Sequence, residues 1–168
     1  MSADASLTIS PPTFDADALP SESACVFTLD GEPCGVDVRQ VRAVVTLVAL
    51  TRVPGAPPTL LGVTNVRGAV VPVVDLRPLL GLRAAPVGAG ASAVILEDGD
   101  LCAALVVERV LGIERFERVE RPADTSPFAA FASGALHSAG GTITMLDGPT
   151  ILTTLRRAWA PAEDAVAP

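Results

Sequence analysis

The chain has 168 residues and a formal net charge of −7, from 12 basic and 19 acidic side chains. That balance excludes a nucleic-acid-binding surface, which rests on cations at phosphates, and every basic residue is arginine, so a phosphate-loop lysine and Schiff-base chemistry are excluded too. Hydrophobic residues make up 49% of the chain and aromatics only 4%, so the core must be aliphatic.

Residues 1–20 are rich in Ala, Ser, Pro and Asp and are expected to be a loose tail. They lack the charged and apolar regions of a signal peptide, and no run reaches the ~20 apolar residues of a membrane span. A cytosolic protein with no direct membrane insertion is expected. Order should begin near Ser23. Cys25, Phe27 and Leu29 alternate with Val26, Thr28 and Asp30, the pattern of a half-buried strand. Asp30-Gly31-Glu32-Pro33 reads as a turn, and Cys34, Val36 and Val38 as the alternating positions of a second strand. Residues 39–45 fit one helical turn leading to a strand, and 44–53 form a further β-rich run. Cys25, Cys34 and Cys102 are odd in number and lack C-x-x-C spacing, which points to buried thiols in a reducing compartment and to no metal site.

The chain is organised around residues 52–82. Two β-branched runs, Leu60 to Val66 and Ala69 to Val74, are separated by Arg67-Gly68, which predicts a hairpin. Strand alternation places Leu61, Val63, Asn65 and Arg67 on one face, with Arg67 able to anchor a partner through its stem and its fork of donors. Asp75 is placed to cap a short helix that Gly81 stops. Residues 83–92 read as a loop. Residues 93–97 and 101–107 flank Asp98-Gly99, a type I′ hairpin signal. The alternating charges of 114–120 read as an exposed edge strand. A connector over 122–133 contains a helix start at Ser126-Pro127. A last hairpin turns at Gly140-Gly141, and Asp147 starts a terminal helix with Ile151, Leu152, Leu155 and Trp159 on one face. Residues 160–168 read as a tail. Many short strands with few helices give an all-β class.

Enzyme signatures are missing from the sequence. His137 is the single histidine and has no nucleophile at a recognisable spacing. Asp75 and Asp147 fit helix caps better than an acidic pair. No phosphate-binding or dinucleotide glycine loop is present, so no cofactor is expected. Protein–protein recognition remains, with sheet edges and apolar grooves as the means.

Gly62-Val63-Thr64-Asn65-Val66-Arg67-Gly68, followed by Val71-Pro72-Val73-Val74-Asp75-Leu76-Arg77, resembles the signature of CheW-type chemotaxis coupling proteins, roughly G-V-x-N-L-R-G-x-x-x-P-V-I-D-L-R. Residues 23–38 and 101–113 resemble the family less strongly. Cys34 stands where the family has an aromatic, Ala43 where it has glutamate and Glu108 where it has aspartate. The resemblance implies one domain over 21–159, built of two packed SH3-like five-stranded β-barrels with short helices and a C-terminal helix. It implies a non-enzymatic adaptor without cofactors, recruited to membrane-associated arrays. There it would join the cytoplasmic tip of a methyl-accepting chemoreceptor to the regulatory domain of a CheA-type histidine kinase. By the same resemblance, receptor contacts fall on Val63, Asn65, Arg67 and Val106, and kinase contacts on Val41, Leu50, Arg52 and Gly62. Two other readings stay open: a divergent subunit of a pilus or gliding pathway, and a β-barrel regulator that binds a small ligand.

Overall fold

The structure is a computed structural model and describes residues 23–82, 86–88, 90–116, 128–138 and 140–159. Both expected tails and the helix start at Ser126-Pro127 lie outside the described residues.

Two hairpins of one design open the fold. Strands β1 (Ser23–Leu29) and β2 (Glu32–Asp37) pair across Asp30-Gly31, at φ 51 and 78°. After β3 (Val41–Thr46), strands β4 (Leu60–Val66) and β5 (Ala69–Val74) pair across Arg67-Gly68, at φ 51 and 86°. Two consecutive positive φ values define the tight turn whose twist matches the strands. Each hairpin ends in an Asp-x-Arg clasp that leads into a 3-10 turn. Asp37 Oδ1 accepts from the backbone N (2.9 Å) and Nε (3.1 Å) of Arg39, ahead of the turn Val38–Gln40. Asp75 Oδ1 accepts from the same two atoms of Arg77, each at 2.9 Å, ahead of the turn Arg77–Leu80. Gly81, at φ 71°, closes that second turn as expected.

The remaining strands are β6 (Ser92–Asp98), β7 (Leu101–Val107), β8 (Arg109–Arg115), β9 (Ala132–Ser138) and β10 (Gly141–Leu146). They complete two five-stranded sheets, in the orders β8-β1-β2-β10-β9 and β3-β6-β7-β5-β4. In each sheet two hairpins join through a parallel pair of their second strands, β2 with β10 and β5 with β7. The fifth strand lies at an edge, β8 on β1 and β3 on β6. The all-β class and the five strands per sheet are as expected. Among the described residues no ladder joins β8 to β9 or β3 to β4, so both sheets are open rather than closed barrels.

Both faces of each sheet are covered. Cys25, Phe27, Leu29 and Val36 from the first sheet meet Val44, Val74, Leu96, Leu105 and Val107 from the second. The far face of the second sheet buries Ala43, Leu47, Val71, Val73, Ile95 and Val106. The far face of the first buries Ala24, Val26, Leu136, Ile143 and Met145. This corrects the half-buried reading of β1, because its residues are buried on both sides. A sheet packed on two faces uses continuous apolar runs instead of alternation.

Helix α1 (Gly148–Trp159) seals the interface between the sheets with Ile151, Leu152 and Leu155. Asp147 caps it, accepting from the backbone N of Thr150 at 3.3 Å and from the Thr150 hydroxyl. Gln40 Oε1 accepts from the Gly148 N–H at 2.9 Å, and Trp159 Nε1 donates to Thr59 Oγ1 at 3.3 Å. Both ends of the helix are thereby tied to the segments that flank the second sheet.

Several boundaries differ from expectation. The second strand stops at Asp37, because the clasp on Arg39 turns Val38 into the 3-10 segment. The run 44–53 is strand only to Thr46, followed by a loop with one bridge at Thr51. The hairpin at Asp98-Gly99 turns on Gly99-Asp100, since Asp98 pairs with Leu101. The charged edge strand is Arg109–Arg115, and 117–120 lie outside the described residues.

Burial pushes the Cys25 thiol up to about 11 and, with Glu32 and Glu108 adding repulsion, the Cys34 thiol up to about 12. Cys102 is only half-buried. At pH 8 a maleimide should therefore label one thiol in the folded protein, at Cys102, and three after unfolding. Folded-state labelling of Cys25 or Cys34, read by peptide mass, would contradict the packing.

Candidate protein-docking surface

The β4–β5 hairpin projects past the inter-sheet core. In β5, Val71 and Val73 face the far core, while Val74 faces the first sheet. Val70 and Pro72 share the face of Val74, because alternate side chains lie on one side. The register Asn65↔Val70 and Val63↔Pro72 carries this face onto β4. Toward the turn it runs into solvent: Val70 is 70% exposed, Asn65 is exposed, and Val63 and Pro72 are half-buried. Val63 and Asn65 thus stand together as expected. Leu61 leaves their face, because an irregularity between Leu60 and Gly62 rotates the strand and packs Leu61 on the far core.

Arg67 sits in the turn itself. Its φ of 51° is uncommon for a residue with a Cβ. The turn is braced by Asn65, whose Oδ1 accepts from the Gly68 N–H at 2.8 Å. The Arg67 side chain is exposed.

A third lane lies against the free edge of β4. Thr51 and Val63 exchange both backbone hydrogen bonds, at 2.9 and 2.8 Å, and Thr64 Oγ1 donates to Ala49 O at 2.7 Å. Gly62 makes this approach possible, since a Cβ there would lie 2.3 Å from Thr51 O. Leu50 packs half-buried on the far core, while Arg52 is exposed. Gly62 is buried and can act only through this lane. Beside it stand Val48, 76% exposed, and Val53, 38% exposed.

The other proposed contacts lie deeper. Val41 is 6% exposed within the inter-sheet core, and Val106 is 5% exposed in the far core. Val106 also lines a cleft of about 400 Å³, with Leu29, Arg77, Val87, Ser92 and Glu108. That cleft contains none of Val63, Asn65 and Arg67. Glu108 braces its rim by accepting from the Gly31 N–H at 2.8 Å. Sequence reasoning missed Val48 and Val70. Both are apolar residues in apolar runs, and nothing local distinguishes them from core positions.

The titratable groups considered for chemistry are otherwise engaged. Asp75 is clasped to Arg77, Asp147 caps α1, and His137 Nδ1 lies 3.1 Å from Thr142 Oγ1 on the exposed side of β9. Among the described residues no three metal-ligating side chains come together, and no helix is long and apolar enough to cross a membrane.

Two open five-stranded sheets, a sealing helix and an exposed hairpin with a bridged outer lane define an all-β module. The chain belongs to the CheW-like domain family, whose model matches residues 23–156. It is 43% identical over 61 residues to the chemotaxis protein CheW of Bacillus subtilis, covering 36% of this chain and 39% of that one. To the CheW of Thermotoga maritima it is 28% identical over 134 residues, covering 79% and 88%. The crystal structure of the scaffolding protein TtCheW from Thermoanaerobacter tengcongensis superposes with a TM-score of 0.67 at 26% identity, over 76% of this chain and 89% of that one. The matches to the first curated relatives span 39 to 58% of those proteins' own lengths.

Proposed function

We propose that the chain is a non-enzymatic coupling adaptor of chemotaxis signalling. It joins the cytoplasmic tip of a chemoreceptor to the regulatory domain of a CheA-type histidine kinase, and each of its sheets corresponds to one SH3-like barrel of the family fold. The observation that carries this reading is the family signature itself, displayed on the exposed β4–β5 hairpin. Arg67 occupies a backbone conformation that favours Asn or Gly. A side chain kept in such a place at a cost to the backbone points to use at a surface.

In this reading Val63, Asn65 and Arg67 meet the receptor. Leu50 and Arg52, held by Gly62, meet the kinase. Val41 and Val106 support these surfaces from below. Co-sedimentation tests the proposal: the kinase regulatory domain should pellet with receptor-bearing membranes only when this protein is added. If the protein binds receptor yet recruits no kinase, the coupling reading fails and the chain is a divergent or competing subunit. Arg67→Glu should fold normally and weaken receptor binding more than tenfold, over about 1.4 kcal/mol. An unchanged affinity in titration would remove Arg67 from the contact surface.

A further inference from the structure

The seam covered by α1 is not filled to its end. Between the start of β7 and the second half of the helix lies a cleft of about 330 Å³. Leu101 and Ala103 line it from β7, while the Cys102 side chain lies on the other side of that strand and packs on the far core. Leu152, Leu155, Arg156 and Trp159 line it from α1, at the spacing of one helix face. The Trp159 ring is fixed as a wall, because its Nε1 donates to Thr59 Oγ1 at 3.3 Å. Two opposite charges stand at the rim of this apolar cleft, Asp100 in the β6–β7 turn and Arg156 on the helix, and both are exposed. Among the described residues neither takes part in an ion pair. No residue assigned above to receptor or kinase lines the cleft.

We propose that this cleft is a small-molecule site and that it takes a free α-amino acid with an apolar side chain. Its volume falls in the range of ligand sites, roughly 300–1,000 Å³, and its make-up is theirs too: apolar walls with a few polar groups that fix orientation. The ligand side chain lies among Leu101, Leu155 and the Trp159 ring, where removing apolar surface from water drives binding. The ligand carboxylate pairs with Arg156, whose fork of donors matches two carboxylate oxygens. The ammonium pairs with Asp100. A purely apolar ligand leaves both rim charges unanswered, and a ligand of one sign answers only one of them. The zwitterion answers both.

The test is titration of the full chain with free L-leucine and L-phenylalanine, read by tryptophan emission and by calorimetry. Trp159 is the single tryptophan of the chain, so its emission reports on the cleft wall. Both ligands should give a saturable blue shift, with a Kd of about 1 mM or tighter. N-acetyl-leucine amide keeps the side chain and loses both charges, and it should bind at least tenfold more weakly. Asp100→Asn and Arg156→Gln lie at exposed positions and should fold as the parent does. Each should weaken leucine binding at least fivefold. If the amide saturates as readily as leucine, or both variants bind leucine as the parent does, the cleft is an apolar slot and the amino-acid ligand is overturned. No saturable signal in either readout at tenfold the expected Kd would overturn the site itself. Either failure leaves the coupling reading standing, because no coupling contact lines the cleft.

Discussion

Gly62→Ala is expected to release the lane over 49–51 from the edge of β4. The added methyl would lie 2.3 Å from Thr51 O, which is backbone and cannot swing aside. The chain can keep the lane and accept the overlap, or let the lane go. Letting go gives up the two Thr51–Val63 bonds and the Thr64–Ala49 bond, each about 1 kcal/mol net. Keeping a backbone overlap this deep costs more than the 1–3 kcal/mol of ordinary overpacking. Release is therefore the cheaper outcome, with a stability loss of about 2–4 kcal/mol. Amide exchange at Thr51 and Val63 should accelerate, while β6 and β7 stay protected. Kinase recruitment should fall further than receptor binding, because Leu50 and Arg52 ride on the lane. A loss under about 0.5 kcal/mol, with Thr51 still protected, would show that β4 absorbs the methyl.

The second large effect lies at the two Asp-x-Arg clasps, which share geometry but differ in burial. The side chains of Arg77 and Asp75 are 8% and 1% exposed, whereas those of Arg39 and Asp37 are 63% and 15% exposed. Asp75→Ala takes the clasping carboxylate away from a buried guanidinium, and breaking a buried pair from one side costs about 3–5 kcal/mol. Asp37→Ala leaves Arg39 in water, where such pairs contribute about 0–1 kcal/mol. Urea midpoints should separate the two variants clearly. Similar losses would mean that the clasps matter as turn caps, not as ion pairs. Asp75→Leu combined with Arg77→Met should recover most of the loss, since an apolar pair removes the buried charge. At Asp37, burial pushes the carboxyl up, but the hydrogen bonds and charge of Arg39 outweigh it and hold the group below its ordinary value. Its contribution is present above the usual carboxylate range and is lost as pH falls through the lowered value.

Sequence reasoning read the hairpins well because turn chemistry is local. Asp30-Gly31 and Arg67-Gly68 turn where glycine adopts positive φ, and Asp75, Gly81 and Asp147 act on neighbours within four residues. It failed where a distant partner decides. β1 is buried on both faces because one side packs on the second sheet and the other on Leu136, Ile143 and Met145 of β9 and β10. The strand expected over 44–53 ends early because 49–51 are claimed by the edge of β4.

The candidate surface divides in the same way. The residues that name the family, Gly62 to Gly68 with Asp75-Leu76-Arg77, were legible as a pattern. Their arrangement was not. An irregularity between Leu60 and Gly62 moved Leu61 off the shared face, and the register across to β5 put Val70 beside Asn65. Val106 looks the same in sequence as Val70, yet one is 5% and the other 70% exposed. The sequence by itself determined the class, the family and the hairpin turn at Arg67-Gly68, because each depends on residue identity and near neighbours. The tertiary structure alone decided which valines are core and which are surface, which Asp-x-Arg pair is buried, and why residue 62 must lack a Cβ. Each of those depends on a backbone that arrives from elsewhere in the chain.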